Sequence, residues 1–138
     1  MTLLQAFGQF IEASHHTRFS PATLHGARRA LLDWHGALIA GADSEAASRL
    51  RDAYREEFGV GHSSVAGSQK RVFARAAAFM NGTISHIAEF DDIFRDGAYH
   101  PACPTISAAL ALAESRNASK IYWLRSSLDM KYLLGLVK

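Results

Sequence analysis

Two histidines and three acidic residues lie within fifteen positions in the second half of the chain: His86, Glu89, Asp91, Asp92 and His100. An imidazole exchanges protons near neutral pH, and a carboxylate can orient it or stabilise its charge. The combination is therefore suited to general acid–base catalysis. Imidazole nitrogens and carboxylate oxygens also bind divalent metals. The spacing predicts a polar site between residues 86 and 100.

Each of these residues has a common structural explanation when it is considered alone. Adjacent carboxylates such as Asp91 and Asp92 are usually solvated. A histidine on a partly apolar helix face, such as His86, is more often hydrogen-bonded in a structural role. His100 stands before Pro101, and that pair can form a rigid turn. The density of the cluster nevertheless favours a functional site, with proton transfer and metal binding both open.

Two alanine-rich apolar segments flank the polar span and must position it. Apolar residues recur at near-helical spacing from residue 72 to residue 90, which predicts one helix. His86, Glu89 and Phe90 are three and four residues apart, so we expect them to share a face near the end of that helix. A second helix is predicted to start with Pro104, because proline fits the first helical turn. The candidate residues then occupy a helix end and the following loop.

The first part of the chain has the spacing of three further helices. An amphipathic stripe near the N-terminus predicts the first helix. Ser20 and Pro21 are preferred types at an N-cap and first helical position, and they open a second helix that ends near Gly41. A third helix, capped by Asp43 or Ser44, is expected to extend to about residue 58. No segment alternates at period two, so the predicted fold class is all-α.

The composition excludes several classes of protein. The chain has 138 residues, of which 49% are hydrophobic and 20% charged, as in an ordinary globular protein. A net charge of +2, with scattered lysines and arginines, argues against nucleic acid as a partner. The single cysteine, Cys103, fits a reducing compartment and is expected to be a small buried residue. No basic segment precedes the first apolar residues, and no apolar run approaches the ~20 residues that a membrane helix needs. We therefore expect a cytoplasmic protein with no membrane contact.

Several motifs accompany the polar span in a fixed order. They are ALLDW at 30–34, AG at 40–41, SVAG at 64–67, AAFMNGT at 77–83, His86, EFDD at 89–92 and His-Pro at 100–101. This combination resembles the signature of the MmgE/PrpD family, which includes 2-methylcitrate dehydratase, cis-aconitate decarboxylase and iminodisuccinate epimerase. The resemblance extends from about Phe7 to Ser119.

The resemblance implies a cofactor-independent lyase or isomerase that acts on small di- or tricarboxylates, with no metal. Members of the family transfer a proton next to a carboxylate and then lose water, lose CO2 or invert the carbon. They have a large all-helical domain and a smaller α/β lid domain, with the active site in the cleft between the two. They are commonly homodimers. The implied partner of this chain is therefore a small carboxylate, with a second copy of the chain possible.

The resemblance also implies individual roles for the candidate residues. His100 matches the active-site histidine of the family's His-Pro motif, and Asp91 and Asp92 match its acidic pair. His86 matches the signature histidine, for which we predict substrate binding. Glu89 is included as catalytic, although the family usually has aspartate there. The extra methylene can move the carboxylate by more than ~1 Å, enough to affect catalysis.

The length predicts that only part of the family's architecture is present. The lid domain, and the lysines and second histidine of the family's active site, would fall beyond residue 138. We interpret residues 1–119 as the N-terminal part of the helical domain and expect the chain to be inactive alone. Residues 120–138 depart from the family pattern, but a two-base shift of the reading frame restores a family-like Gly-Tyr-Glu-Val. We hypothesise a frameshift near Ser119, which the coding DNA tests directly.

Two other interpretations remain open. A metal-dependent hydrolase could use His86, Asp91, Asp92 and His100 as ligands, and metal titration would distinguish it from the cofactor-independent enzyme. A small helical binding module could pack its alanine-rich faces against a partner. A cooperative, well-folded isolated chain would support that second alternative.

Overall fold

The computed structural model of the chain describes residues 1–14 and 18–118. In this part of the chain there are five α-helices: α1 (Leu3–Ser14), α2 (Pro21–Ala42), α3 (Glu45–Ala53), α4 (Ala74–His86) and α5 (Ala102–Ser115). Two 3-10 turns, Arg55–Glu57 and Arg95–Gly97, lie in the longer connections. The described residues form no strand, only two isolated bridges, Ser63 with Val72 and Phe94 with Tyr99. The all-α prediction is confirmed.

Helix α2 begins and ends as the sequence predicted. Ser20 is its N-cap, and the side-chain oxygen accepts a hydrogen bond from the Thr23 amide at 3.1 Å. Pro21 occupies the first helical turn, where its missing N–H is not needed. Gly41 is buried at the other end of the helix. A Cβ atom at this position would lie 2.0 Å from the backbone oxygen of Ile84, so only glycine fits there. The backbones of α2 and α4 therefore meet at Gly41.

Helix α3 is shorter than predicted. Ser44 caps it as expected, accepting a hydrogen bond from the Ala47 amide at 3.1 Å. The helix ends at Ala53, and the chain tightens into the 3-10 turn Arg55–Glu57. The predicted extension to residue 58 is therefore wrong. Phe58 still packs against the core, because the tighter turn redirects the chain without exposing that side chain.

The core is built around α4, which packs mainly against α5 and next against α2. The largest fully buried side chains of the core include Trp34, Met80, Ile84 and Ile106. Trp34 donates its indole N–H to the Ser107 hydroxyl at 3.2 Å, so the buried ring keeps a polar partner. Both α4 and α5 present buried alanines to the core, which lets the two helices approach closely. Their ends thereby bring residues 86 and 100 together.

A buried amide side chain helps to hold the connection from α3 to α4. Asn81 accepts a hydrogen bond from the Ala66 amide at 3.0 Å and donates one to the Ser64 carbonyl at 2.8 Å. The two bonds satisfy backbone groups of a loop that has no helix of its own.

Apolar side chains also remain on the outside of the described bundle. Leu32 and Ile39 on α2, Phe79 on α4, and Phe90 and Ile93 after it are all exposed. Within residues 1–14 and 18–118, no helix combines the length and apolar character needed to cross a membrane. Ser119 and the predicted divergent segment 120–138 lie outside the described residues.

Candidate functional site

The site is centred on Asp91, which is buried in the loop after α4. The Asp91 side chain has no exposed surface, and its two oxygens lie 3.1 and 3.2 Å from His86 Nδ1. An ionised carboxylate only accepts hydrogen bonds, so His86 carries its proton on Nδ1 in this pairing. Cys103, in the first turn of α5, donates its thiol to Asp91 Oδ2 at 2.8 Å. One carboxylate thus joins the end of α4 to the start of α5.

His100 lies beside the same carboxylate but is not aligned with it. Its Nδ1 is 3.1 Å from Asp91 Oδ2, close enough for an ion pair. That nitrogen is nevertheless buried without a hydrogen-bond partner among the described residues. The His86 and His100 rings are tilted by 59° with centroids 4.6 Å apart. Their side chains are 46% and 31% exposed, so both rings remain accessible from solvent.

The predicted shared face of His86, Glu89 and Phe90 is wrong. Helix α4 ends at His86, and Glu89 has a φ angle of +51°, in the left-handed region. The helical repeat stops before it could place Glu89 above His86. Glu89 is exposed, and its carboxylate makes no hydrogen bond or ion pair with residues 1–14 or 18–118. The structure therefore does not bring Glu89 into the cluster, and its catalytic role stays a prediction.

Asp92 faces a different partner from its neighbour. Its Oδ1 accepts a hydrogen bond from the Ala102 amide at 2.9 Å, at the N-terminus of α5. The N-cap position of that helix is Pro101, which provides no side-chain cap. Asp92 therefore caps α5 although it lies ten residues earlier in the sequence. Its negative carboxylate is stabilised by the positive end of the helix dipole. The acidic pair is divided between the cluster and a helix terminus.

A surface groove of about 550 Å³ opens over the two histidines. Its lining is mostly apolar outside the cluster residues and includes Phe79, Thr83, Tyr99 and Pro104. No lysine or arginine is among its described lining residues. The groove therefore offers imidazoles and a buried thiol to a small molecule, with no fixed cation from this part of the chain.

Burial and hydrogen bonding together set the protonation of the buried groups of the cluster. Burial opposes the ionisation of Asp91, but hydrogen bonds from Cys103 and His86, with nearby His100, outweigh it and hold the pKa of Asp91 below its ordinary value. Burial, aided by the bond to Asp91, raises the pKa of Cys103 to about 12. At neutral pH the cluster is therefore a carboxylate with a protonated thiol as donor.

Sequence reasoning missed the polar role of Cys103. Its predicted burial is confirmed, but the thiol is a hydrogen-bond donor to Asp91 rather than a simple apolar filler. The only signal in the sequence is its position three residues after His100, close enough for both to reach one loop residue.

Comparison with known proteins agrees with the motifs. The family model described as the MmgE/PrpD N-terminal domain matches residues 5–135, nearly the whole chain. The match includes all the residues of the cluster and continues into the segment after Ser119. No curated protein and no solved structure matched the chain significantly. The chain belongs to the MmgE/PrpD family and carries the family's N-terminal domain.

Proposed function

We propose that the chain supplies the proton-transfer groups of a lyase or isomerase acting on small di- or tricarboxylates. The main support is that the ring centroids of His86 and His100 lie 4.6 Å apart at one groove. Both rings also lie beside the buried carboxylate of Asp91. A histidine oriented by a buried carboxylate is a common arrangement for general acid–base catalysis. The groove volume of about 550 Å³ lies in the range of small-molecule sites.

In this proposal His100 exchanges a proton with the carbon next to a substrate carboxylate. Its Nδ1 is turned toward Asp91, which leaves Nε2 for the substrate. Asp91 would help to orient the ring, because its Oδ2 lies 3.1 Å from His100 Nδ1. His86, the more exposed of the two, would accept a hydrogen bond from a substrate hydroxyl at its unprotonated Nε2. Loss of a hydroxyl, loss of CO2 or return of the proton would complete dehydration, decarboxylation or epimerisation.

The charge of the substrate sets a further requirement. Removal of a proton next to a carboxylate adds negative charge, which an enzyme stabilises with fixed cations or hydrogen-bond donors. The described lining of the groove contains neither lysine nor arginine. We therefore propose that the chain alone is inactive. The cations would come from residues outside this described lining, and we place the active enzyme in a cytoplasmic homodimer.

The metal-dependent hydrolase is less well supported. That alternative needs Asp92 as a ligand together with the two histidines. Asp92 instead accepts the hydrogen bond that caps α5. Moving it to a metal would leave the Ala102 amide without this acceptor.

Turnover of a panel of small di- and tricarboxylates tests the proposal. The comparison uses this chain and a version extended by the family's remaining segments. We expect turnover only from the extended version, and His100→Ala should lower its rate by ~10²-fold or more. His25→Ala, an exposed histidine of α2, is the matched control and should not change the rate. Unchanged turnover in His100→Ala would remove that residue from the mechanism.

A further inference from the structure

Three different donor atoms converge where α4 ends and α5 begins. A ring nitrogen of His86, an Asp91 oxygen and Cys103 Sγ all lie within 4.8 Å of one another. Asp91 and Cys103 are buried, whereas His86 reaches the surface. The set therefore has an inner, desolvated side and an open approach from the groove.

A second observation at the same place also points to a ligand. His100 Nδ1 is buried, lacks a hydrogen-bond partner in the described part of the chain, and lies 3.1 Å from Asp91 Oδ2. A buried ring nitrogen without a partner is uncommon and calls for an explanation. A cation between these groups would give that nitrogen a partner through its lone pair.

We propose that His86, Asp91 and Cys103 bind one divalent transition-metal ion of the Zn²⁺ class, with His100 as the fourth ligand. Zn²⁺ accepts imidazole, carboxylate and thiolate together in a four-coordinate site. Ca²⁺ and Mg²⁺ prefer oxygen ligands only, so the sulfur and nitrogens disfavour them. The thiolate and the carboxylate together carry two negative charges, which balance the ion.

The separations between the proposed ligand atoms are close to those around a tetrahedral metal ion. With metal–ligand bonds of ~2.0–2.3 Å, neighbouring ligands of a tetrahedral ion are ~3.3–3.7 Å apart. The nitrogen–oxygen separations of 3.1 Å are close to that value. The sulfur–oxygen separation of 2.8 Å must widen by a small rotation of Cys103. Binding moves the His86 proton from Nδ1 to Nε2 by exchange with solvent, which frees the Nδ1 lone pair for the metal. It also breaks the S–H bond of Cys103, forms the S–metal bond and releases the thiol proton to solvent, with no change of oxidation state.

The consequence is a metal-inhibited site rather than a metal-dependent one. An ion bound to His100 and Asp91 would occupy the groups that the proposed reaction needs for proton transfer. The binding itself does not depend on any activity, so its test separates the two proposals.

Titration of the metal-free chain with Co²⁺, followed by absorption, tests the site. We expect one ion per chain, with d–d bands and a sulfur-to-cobalt charge-transfer band, all abolished when Zn²⁺ displaces Co²⁺. Cys103→Ser should remove the charge-transfer band and weaken binding by ~10-fold or more, at least the effect of losing an outer-shell partner. Absence of that band in the wild-type chain would overturn the proposal, as would unchanged affinity in Cys103→Ser.

Controls exclude adventitious binding by other histidines. His15→Ala/His16→Ala removes an adjacent pair elsewhere in the sequence and should keep both the band and its affinity. His100→Ala should keep the thiolate band but weaken binding by ~10-fold or more. It should also reduce the rise in melting temperature that Zn²⁺ causes, because an ion that binds the native state stabilises it. A Zn²⁺ shift unchanged by both Cys103→Ser and His100→Ala would place the ion elsewhere and overturn the proposal.

Discussion

Cys103 donates a hydrogen bond to Asp91 across the junction of two helices, with a sulfur–oxygen distance of 2.8 Å. The two residues are twelve positions apart in the chain. Their contact holds the loop after α4 against the first turn of α5. It also fixes the carboxylate that both histidines approach. The stability of this junction should therefore depend on the ionisation of Asp91.

Unfolding of wild type and Asp91→Asn as a function of pH tests that dependence, with a chelator present. The folded-state pKa of Asp91 lies below its ordinary value of 3.8. Folding therefore favours the carboxylate, and this contribution is complete above the unfolded pKa and lost as pH falls through the folded pKa. We expect Asp91→Asn to be less stable at pH 7, by about 1–3 kcal/mol. The difference should shrink below about pH 4.

The matched control for Asp91 is Asp96→Asn, at an exposed carboxylate of the turn Arg95–Gly97. Asp96→Asn should change the free energy of unfolding by less than about 0.5 kcal/mol, both at pH 7 and below about pH 4. A stability difference between wild type and Asp91→Asn that stays constant from pH 7 to pH 2.5 would contradict the role of Asp91 ionisation.

Asp92→Ala should weaken the start of α5. The substitution removes the oxygen that accepts the Ala102 amide, and loss of such a cap costs about 0.5–2 kcal/mol. Asp92→Asn keeps an oxygen acceptor and should cost less. Chemical denaturation measures both, with Asp96→Ala as the exposed control. Equal effects of Asp92→Ala and Asp96→Ala would show that the capping bond contributes no net stability.

Two glycines of α2 should respond in opposite directions to alanine. At Gly41 the added Cβ would lie 2.0 Å from the Ile84 backbone oxygen, so α2 and α4 must separate. Such overpacking costs about 1–3 kcal/mol or more. At Gly36 a Cβ meets nothing within 4 Å, and alanine should gain about 0.5–1 kcal/mol through helix propensity. Melting temperatures that fall equally in both variants would contradict the close approach at Gly41.

The sequence alone determined the helical character, most helix starts and the family. The helical features depend on residues that are close in the chain. Ser20 and Pro21 open α2, and Ser44 caps α3. The apolar spacing of α4 can be read directly from the sequence. The family motifs likewise combine residue types at fixed intervals, and they identify His86, Asp91 and His100 as candidate site residues without any tertiary information. Local spacing fails at helix ends, as the early stop of α3 at Ala53 shows.

Only the tertiary structure decided how the candidate site is assembled. The left-handed backbone at Glu89 ends the helical repeat and turns that side chain outward. Asp91 and Asp92 are adjacent in sequence, yet one binds histidine and thiol while the other caps α5. These choices depend on the packing of α4 against α5, which brings residues 86 and 103 together. A hydrogen bond between distant residues is set by that approach, and no short-range pattern in the sequence encodes it.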